Sequence, residues 1–216
     1  MTGLDDQTDR ILEVAVIVTR ARGRSPSQSQ DGTAESGYQQ TLSHFEELET
    51  FHRVVFQPPQ VLEAMNDWCK KTHGASGLTA EVPHGAPLAE VESALLALID
   101  RHYAPDERVV LCGNSVGNDK RFIDAQLPRV AARLHYRIID VSSFKEVFRS
   151  RLGLTFSKPE GRHRALEDIR QSIAELGYYL SFLDGARVAS AQSGGPPTEK
   201  TAALKNVAPG AERNPK

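Results

Sequence analysis

With 216 residues, 26 Lys and Arg against 28 Asp and Glu and a formal charge of -2, the chain can bury one sizeable core but lacks the basic excess of general polyanion binders. Its two cysteines, Cys69 and Cys112, form no disulfide framework and fit a reducing compartment, and no run approaches the roughly 20 apolar residues that span a bilayer. Two polar stretches lower the apolar fraction to 39%. Residues 21–50 read as a mobile insertion and 184–216 as a disordered tail, because such compositions cannot offset their ordering entropy. A single domain over 1–183 is expected around the insertion.

Ile11 to Val18, ILEVAVIV, is β-branched and apolar and predicts a strand. Phe51 to Phe56 predicts a second, stopped by Pro58 and Pro59. One short helix is expected from Gln60 through Ala64, Met65, Trp68 and Thr72, closing near Gly74 and Gly77. Pro87 opens a longer helix whose stripe is Val91, Leu95, Leu98 and Ile99. Val109 to Cys112 reads as a buried strand, with Cys112 a small core residue at its end. Phe122, Ile123, Leu127, Val130 and Leu134 carry one helical period, and Tyr136 to Val141 returns as strand. Phe144, Val147 and Phe148 suggest another short helix. The last helix spans about Gly161 to Phe182, with Leu166, Ile169, Ile173, Leu176, Leu180 and Leu183 on one face. Strands separated by helices predict an α/β domain in which helices cover a mixed sheet.

Asp119 follows a strand and a Gly-Asn-Ser turn at the start of a helix, a position from which a carboxylate projects over the end of a sheet. His163 and Asp168 lie near the start of the last helix. Carboxylate oxygens suit hard Mg²⁺ or Mn²⁺, and a histidine removes a water proton near neutral pH, so the three fit metal-dependent phosphodiester hydrolysis. Each also has a plainer reading, as a cap or a solvated helix residue.

GNSVGNDKRF, HYRIIDVSSFKEVF and HRALEDIRQSIAELGYY resemble three ordered blocks of the oligoribonuclease family, and NDWCKKTHGASGL resembles a fourth. The resemblance runs from Met1 to about Leu183 apart from the polar insertion. It implies an RNase H-like exonuclease fold and 3'-to-5' removal of nucleotides from very short single-stranded RNA. It also implies two Mg²⁺ or Mn²⁺ ions in an intact site and a homodimer. By matching motif, Asp119 and Asp168 resemble metal-binding carboxylates and His163 the general base. Tyr136 resembles an aromatic that reaches across the dimer to the nucleotide. Arg137, Ser142 and Ser115 resemble residues that recognise a terminal phosphate, Leu4 and Trp68 resemble apolar contacts to the bases, and His73 resembles a phosphate-positioning residue. A partly buried Trp68, a strand-core Tyr136 and a Leu4 that merely anchors a turn are the alternatives.

The family pattern places an Asp-x-Glu strand immediately before MTGLD, central in the sheet between the strands at Ile11 and Val109. Met1 stands directly after the expected Glu, so the first central strand and both acids are expected to be absent, and activity to be impaired. Three inward side chains of such a strand would contribute about 4 to 9 kcal/mol of burial, against total stabilities of roughly 5 to 15 kcal/mol. The competing expectation is a noncatalytic dimerisation or RNA-interaction protein that retains the exonuclease domain remnant. A zinc site at Cys69 and His73, spaced i,i+4, is a weaker one. Cytoplasmic and mitochondrial use are both open, since any targeting segment would lie upstream.

Overall fold

The computed structural model describes residues 1–21, 44–158 and 164–192, with side-chain surroundings described through Leu183. Glu13–Ala21 (β1) and Phe45–Val54 (β2) form an antiparallel ladder in which Val14 pairs with Arg53 and Val18 with Glu49, with an irregularity between Val18 and Thr19. Phe45 to Thr50, assigned to the polar insertion on composition, are therefore strand. Cross-strand pairing accommodates FEELET because one face of a two-stranded ladder stays in water. The remainder of that insertion, 22–43, lies outside the described residues.

Pro59–Glu63 (α1) and Asp67–Ala75 (α2) replace the one helix expected near Gln60. Asn66 separates them by accepting a 2.9 Å hydrogen bond from the Cys69 amide, an N-cap that starts α2 afresh. Leu78–Glu81 (α3) follows, and then Leu88–His102 (α4), whose predicted stripe of Val91, Leu95, Leu98 and Ile99 is buried. That stripe packs with Ile11, Val18 and Phe51 from the β1–β2 side and with Phe122 and Leu127 to form the main core. Leu12, Met65, Cys69, Leu78 and Val82 make a second cluster beneath α2 and α3.

Val109–Gly113 (β3) runs parallel to Leu134–Asp140 (β4), joined through Val116–Gln126 (α5) and Pro128–Ala131 (α6). Pro128 divides the single helical period expected over Phe122 to Leu134, and Leu134 instead opens β4. β3 is not buried throughout: its residues alternate, and Val110 and Cys112 are exposed. The core role expected for Cys112 is thus corrected by the period of two. Val141–Leu152 (α7) and Ala165–Gln192 (α8) complete the described elements.

Helices flank strands of both orientations, as the mixed α/β expectation requires, but the strands form two two-stranded sheets. Among the described residues no ladder joins β1 to β3, the interval in which the sequence places an acidic central strand. Met1–Ser181 forms one compact unit and Phe182 opens a second. α8 continues to Gln192, so residues 184–192, expected in the tail, are helical, while 193–216 lie outside the described residues.

Candidate active site

The first residues fold into a tight turn held by Asp9. Its carboxylate accepts from Thr2 Oγ1 at 2.8 Å and from the Asp5 amide at 2.9 Å, while the Thr2 amide donates to the Arg10 carbonyl at 2.9 Å. A Cβ on Gly3 would run into the Asp9 carboxylate, which explains the glycine in MTGLD. His73 Nε2 donates to the Met1 carbonyl at 2.9 Å, and Arg121 reaches the Leu4 carbonyl at 3.2 Å. The turn is therefore clamped between α2 and α5, and Leu4 stands 66% exposed.

Asp119 lies in the first turn of α5. Desolvation raises its carboxyl pKa, opposed by its own backbone amide and by the Met1 amino group, with Asp140 adding a further upward push. Burial in turn pulls the Met1 amino group down, against the charges of Cys69, Glu13, Asp119 and Asp9. The Met1 amino group and Asp140 at the end of β4 are thus close enough for their charges to act on Asp119.

One helical turn before Asp119, Ser115 is the N-cap of α5 at φ 50, in the left-handed region. Its amide donates to Asp140 Oδ1 at 2.9 Å and to Ser142 Oγ at 3.0 Å, and the two serine hydroxyl oxygens lie 3.2 Å apart. Asp140 also caps α7 by accepting from the Ser142 amide at 2.9 Å. These contacts tolerate the strained backbone at Ser115 because the amide is doubly held. Asn114, next in the same turn, donates to Ser172 Oγ at 2.9 Å and to Glu175 Oε2 at 3.0 Å on α8. Ser172 lies one turn after Asp168, and its hydroxyl donates to the Asp168 carbonyl at 2.9 Å.

The Gly113–Ser115 turn therefore links the start of α5, which bears Asp119, to the start of α8, which bears Asp168. His163 lies outside the described residues. Its neighbour Arg164 is fixed: Nε donates to Glu13 Oε1 at 2.8 Å, and its two terminal nitrogens bond Glu81 at 2.8 and 2.9 Å. Glu13 Oε2 accepts the Ala165 amide at 3.0 Å, and Oε1 also takes His52 Nε2 at 2.7 Å. Desolvation pushes Glu13 up, but these hydrogen bonds outweigh it and hold the carboxyl below its usual range.

Trp68 on α2 is 65% exposed and Tyr136 on β4 77%, so Tyr136 is not a strand-core residue and Trp68 presents most of its surface to solvent. Tyr136 stacks on His135 at 4.5 Å between centroids, with the Arg137 guanidinium 5.1 Å from its ring centre. The sequence expectation does not include Asn114, Asp140 or Glu175, whose hydrogen bonds tie the Gly113–Ser115 turn to α8 and to the end of β4. Asn114 lies within a turn motif and Glu175 among apolar neighbours, although Ser172, Glu175 and Tyr179 repeat at helical spacing.

Asp119 and Asp168 carry the oxygen donors that divalent cations prefer. Among the described residues no three His, Cys, Asp or Glu side chains converge to hold a metal ion. The same holds for zinc at Cys69 and His73. No helix among the described residues is long and apolar enough to cross a membrane.

Residues 1–176 match the RNase T exonuclease family, whose members are in general dependent on divalent metal. The chain is 41% identical over 185 residues to the mitochondrial oligoribonuclease of Saccharomyces cerevisiae, covering 83% of this chain and 63% of that protein's length. It is 39% identical to the oligoribonuclease of Marinobacter nauticus, across 83% of this chain and 89% of the relative. Against the oligoribonuclease of Streptomyces coelicolor the identity is 38%, over 83% and 80% of the two chains. Similarity that spans the N-terminal turn, the Gly-Asn-Ser hub and the start of α8 alike places this chain in the oligoribonuclease family of exonucleases.

Proposed function

We propose that the domain is a 3'-to-5' exoribonuclease of short single-stranded oligoribonucleotides. The observation that carries this reading is the Gly113–Ser115 turn, hydrogen-bonded to α8 beside Asp168 and one helical turn from Asp119. In an intact site Asp119 and Asp168 would serve as ligands to two Mg²⁺ or Mn²⁺ ions, which when bound supply a water of lowered pKa and neutralise developing phosphoryl charge. His163 would take the proton of the attacking water.

Exposed Trp68 and Leu4 offer faces on which bases stack, and Ser115 and Arg137, with Ser142 beside Ser115, would line the place of a terminal phosphate. His73, committed at Nε2 to the Met1 carbonyl, would act on phosphate through the position of the N-terminal turn. Tyr136, projecting 77% exposed from β4, favours a homodimer in which it meets the nucleotide on the second copy. The yeast relative's name supports a mitochondrial location, and the reading accommodates a cytoplasmic one as well.

Incubation with a 5'-labelled RNA dinucleotide and Mn²⁺ tests this reading: metal-dependent release of mononucleotides is the expected result. RNA binding or dimerisation without turnover would instead establish the second reading, a noncatalytic RNA-interaction or dimerisation protein.

A further inference from the structure

We propose that Glu175 is a positioning residue: acting through Asn114, it fixes the direction of the Ser142–Ser115 hydroxyl chain so that Ser115 keeps a hydrogen for a terminal phosphate of bound RNA. The proposal rests on the reading above that these serines face such a phosphate.

Glu175 is a fully buried carboxylate with no place in the hydrolytic scheme. A buried carboxylate is costly unless its oxygens are occupied by donors. Here Oε2 receives Asn114 Nδ2 at 3.0 Å and Lys158 Nζ at 2.9 Å, and Oε1 receives the Tyr179 hydroxyl at 3.2 Å. The second Asn114 donor goes to Ser172 Oγ, whose own hydrogen is committed to the Asp168 carbonyl, so Ser172 can only accept. Two acceptors on α8 thereby fix which end of the Asn114 amide is nitrogen. The amide oxygen must face outward, where it accepts from Ser142 Oγ at 3.2 Å.

A hydroxyl has one hydrogen. With that of Ser142 directed to Asn114, Ser142 Oγ acts as acceptor for the Ser115 amide at 3.0 Å. Ser115 alone of the pair then has a hydroxyl hydrogen able to turn toward a ligand, and its side chain is the exposed one. The chain Glu175, Asn114, Ser142, Ser115 thus runs from a buried acceptor to a surface donor.

The test compares binding of 5'-phosphorylated and 5'-hydroxyl ApA to the full 216-residue chain by calorimetry in Ca²⁺. The unaltered protein should favour the phosphorylated form by about tenfold, the scale of one charge-assisted hydrogen bond. Glu175→Leu should cut that ratio severalfold while leaving the affinity for 5'-hydroxyl ApA within about twofold. Glu175→Gln, whose amide oxygen still accepts from Asn114, should keep most of the preference. A role limited to packing or to the Lys158 pair would not separate the two variants in this way. Should Glu175→Leu fail to fold, Asn114→Leu, at the half-buried end, carries the same expectation. A folded variant that retains the tenfold ratio overturns the proposal. Absence of any phosphate preference in the unaltered protein overturns the terminal-phosphate reading, and the proposal with it.

Discussion

Glu13→Ala should be among the most destabilising single substitutions in the domain. The Glu13 side chain is 5% exposed, and its two oxygens receive His52, Arg164 and the Ala165 amide at 2.7, 2.8 and 3.0 Å. Removing one partner from a buried pair costs about 3 to 5 kcal/mol. Arg164 retains its two-point contact with Glu81, which lies nearer the surface, so the lower end of that range applies, roughly 3 kcal/mol. For a domain of this size such a loss lowers Tm by roughly 6 to 12 °C. The pH dependence follows from the direction of the shift. The folded-state pKa is depressed, so the carboxylate stabilises above the unfolded value, and the contribution is lost as pH falls through the lower folded value. Thermal melts of the unaltered and Glu13→Ala proteins should therefore differ most near pH 7 and converge in acid below the ordinary carboxylate range. A Tm change under about 2 °C at pH 7, or a difference that persists undiminished in acid, would refute this account of the clamp beside His163.

Trp68→Ala, at an exposed helix position, should change stability by no more than about 0.5 kcal/mol, yet weaken binding of a short RNA by about 1 to 3 kcal/mol if a base stacks there. Calorimetry with a dinucleotide, alongside a thermal melt, separates the two effects. Asp119→Asn should abolish metal-dependent turnover of a short RNA, because it replaces a carboxylate oxygen donor suited to a divalent ion; turnover at the unaltered rate would contradict its place in the site. Burial and Asp140 push the Cys112 thiol up from 9.0 to about 11, which leaves roughly a hundredfold less thiolate at pH 8 than an ordinary cysteine. Iodoacetamide should label Cys112 correspondingly slowly despite its surface position; labelling at the rate of a free thiol would contradict that environment.

What was legible in the sequence was what neighbouring residues decide. The α4 stripe and the strand, Gly-Asn-Ser turn and helix that carry Asp119 depend on local periodicity and turn chemistry, and both are found as expected. The Asn66 cap and Pro128 are local signals too, but each was overridden by an apolar period that continues across it. The face of α8 could not be read this way. Of the predicted stripe only Leu176 is buried, whereas Ser172, Glu175 and Tyr179 face inward alongside Ala174. Apolar periodicity finds the wet-to-dry boundary of a helix only when the dry side is apolar. Here the inward side carries a carboxylate, tolerated because Asn114, Lys158 and Tyr179 bring donors to it, two of them from distant sequence positions. Polar residues on the inner face of a helix are therefore where helical periodicity fails and where long-range chemistry begins. In this chain that inner face runs directly beneath the turn joining Asp119 to Asp168.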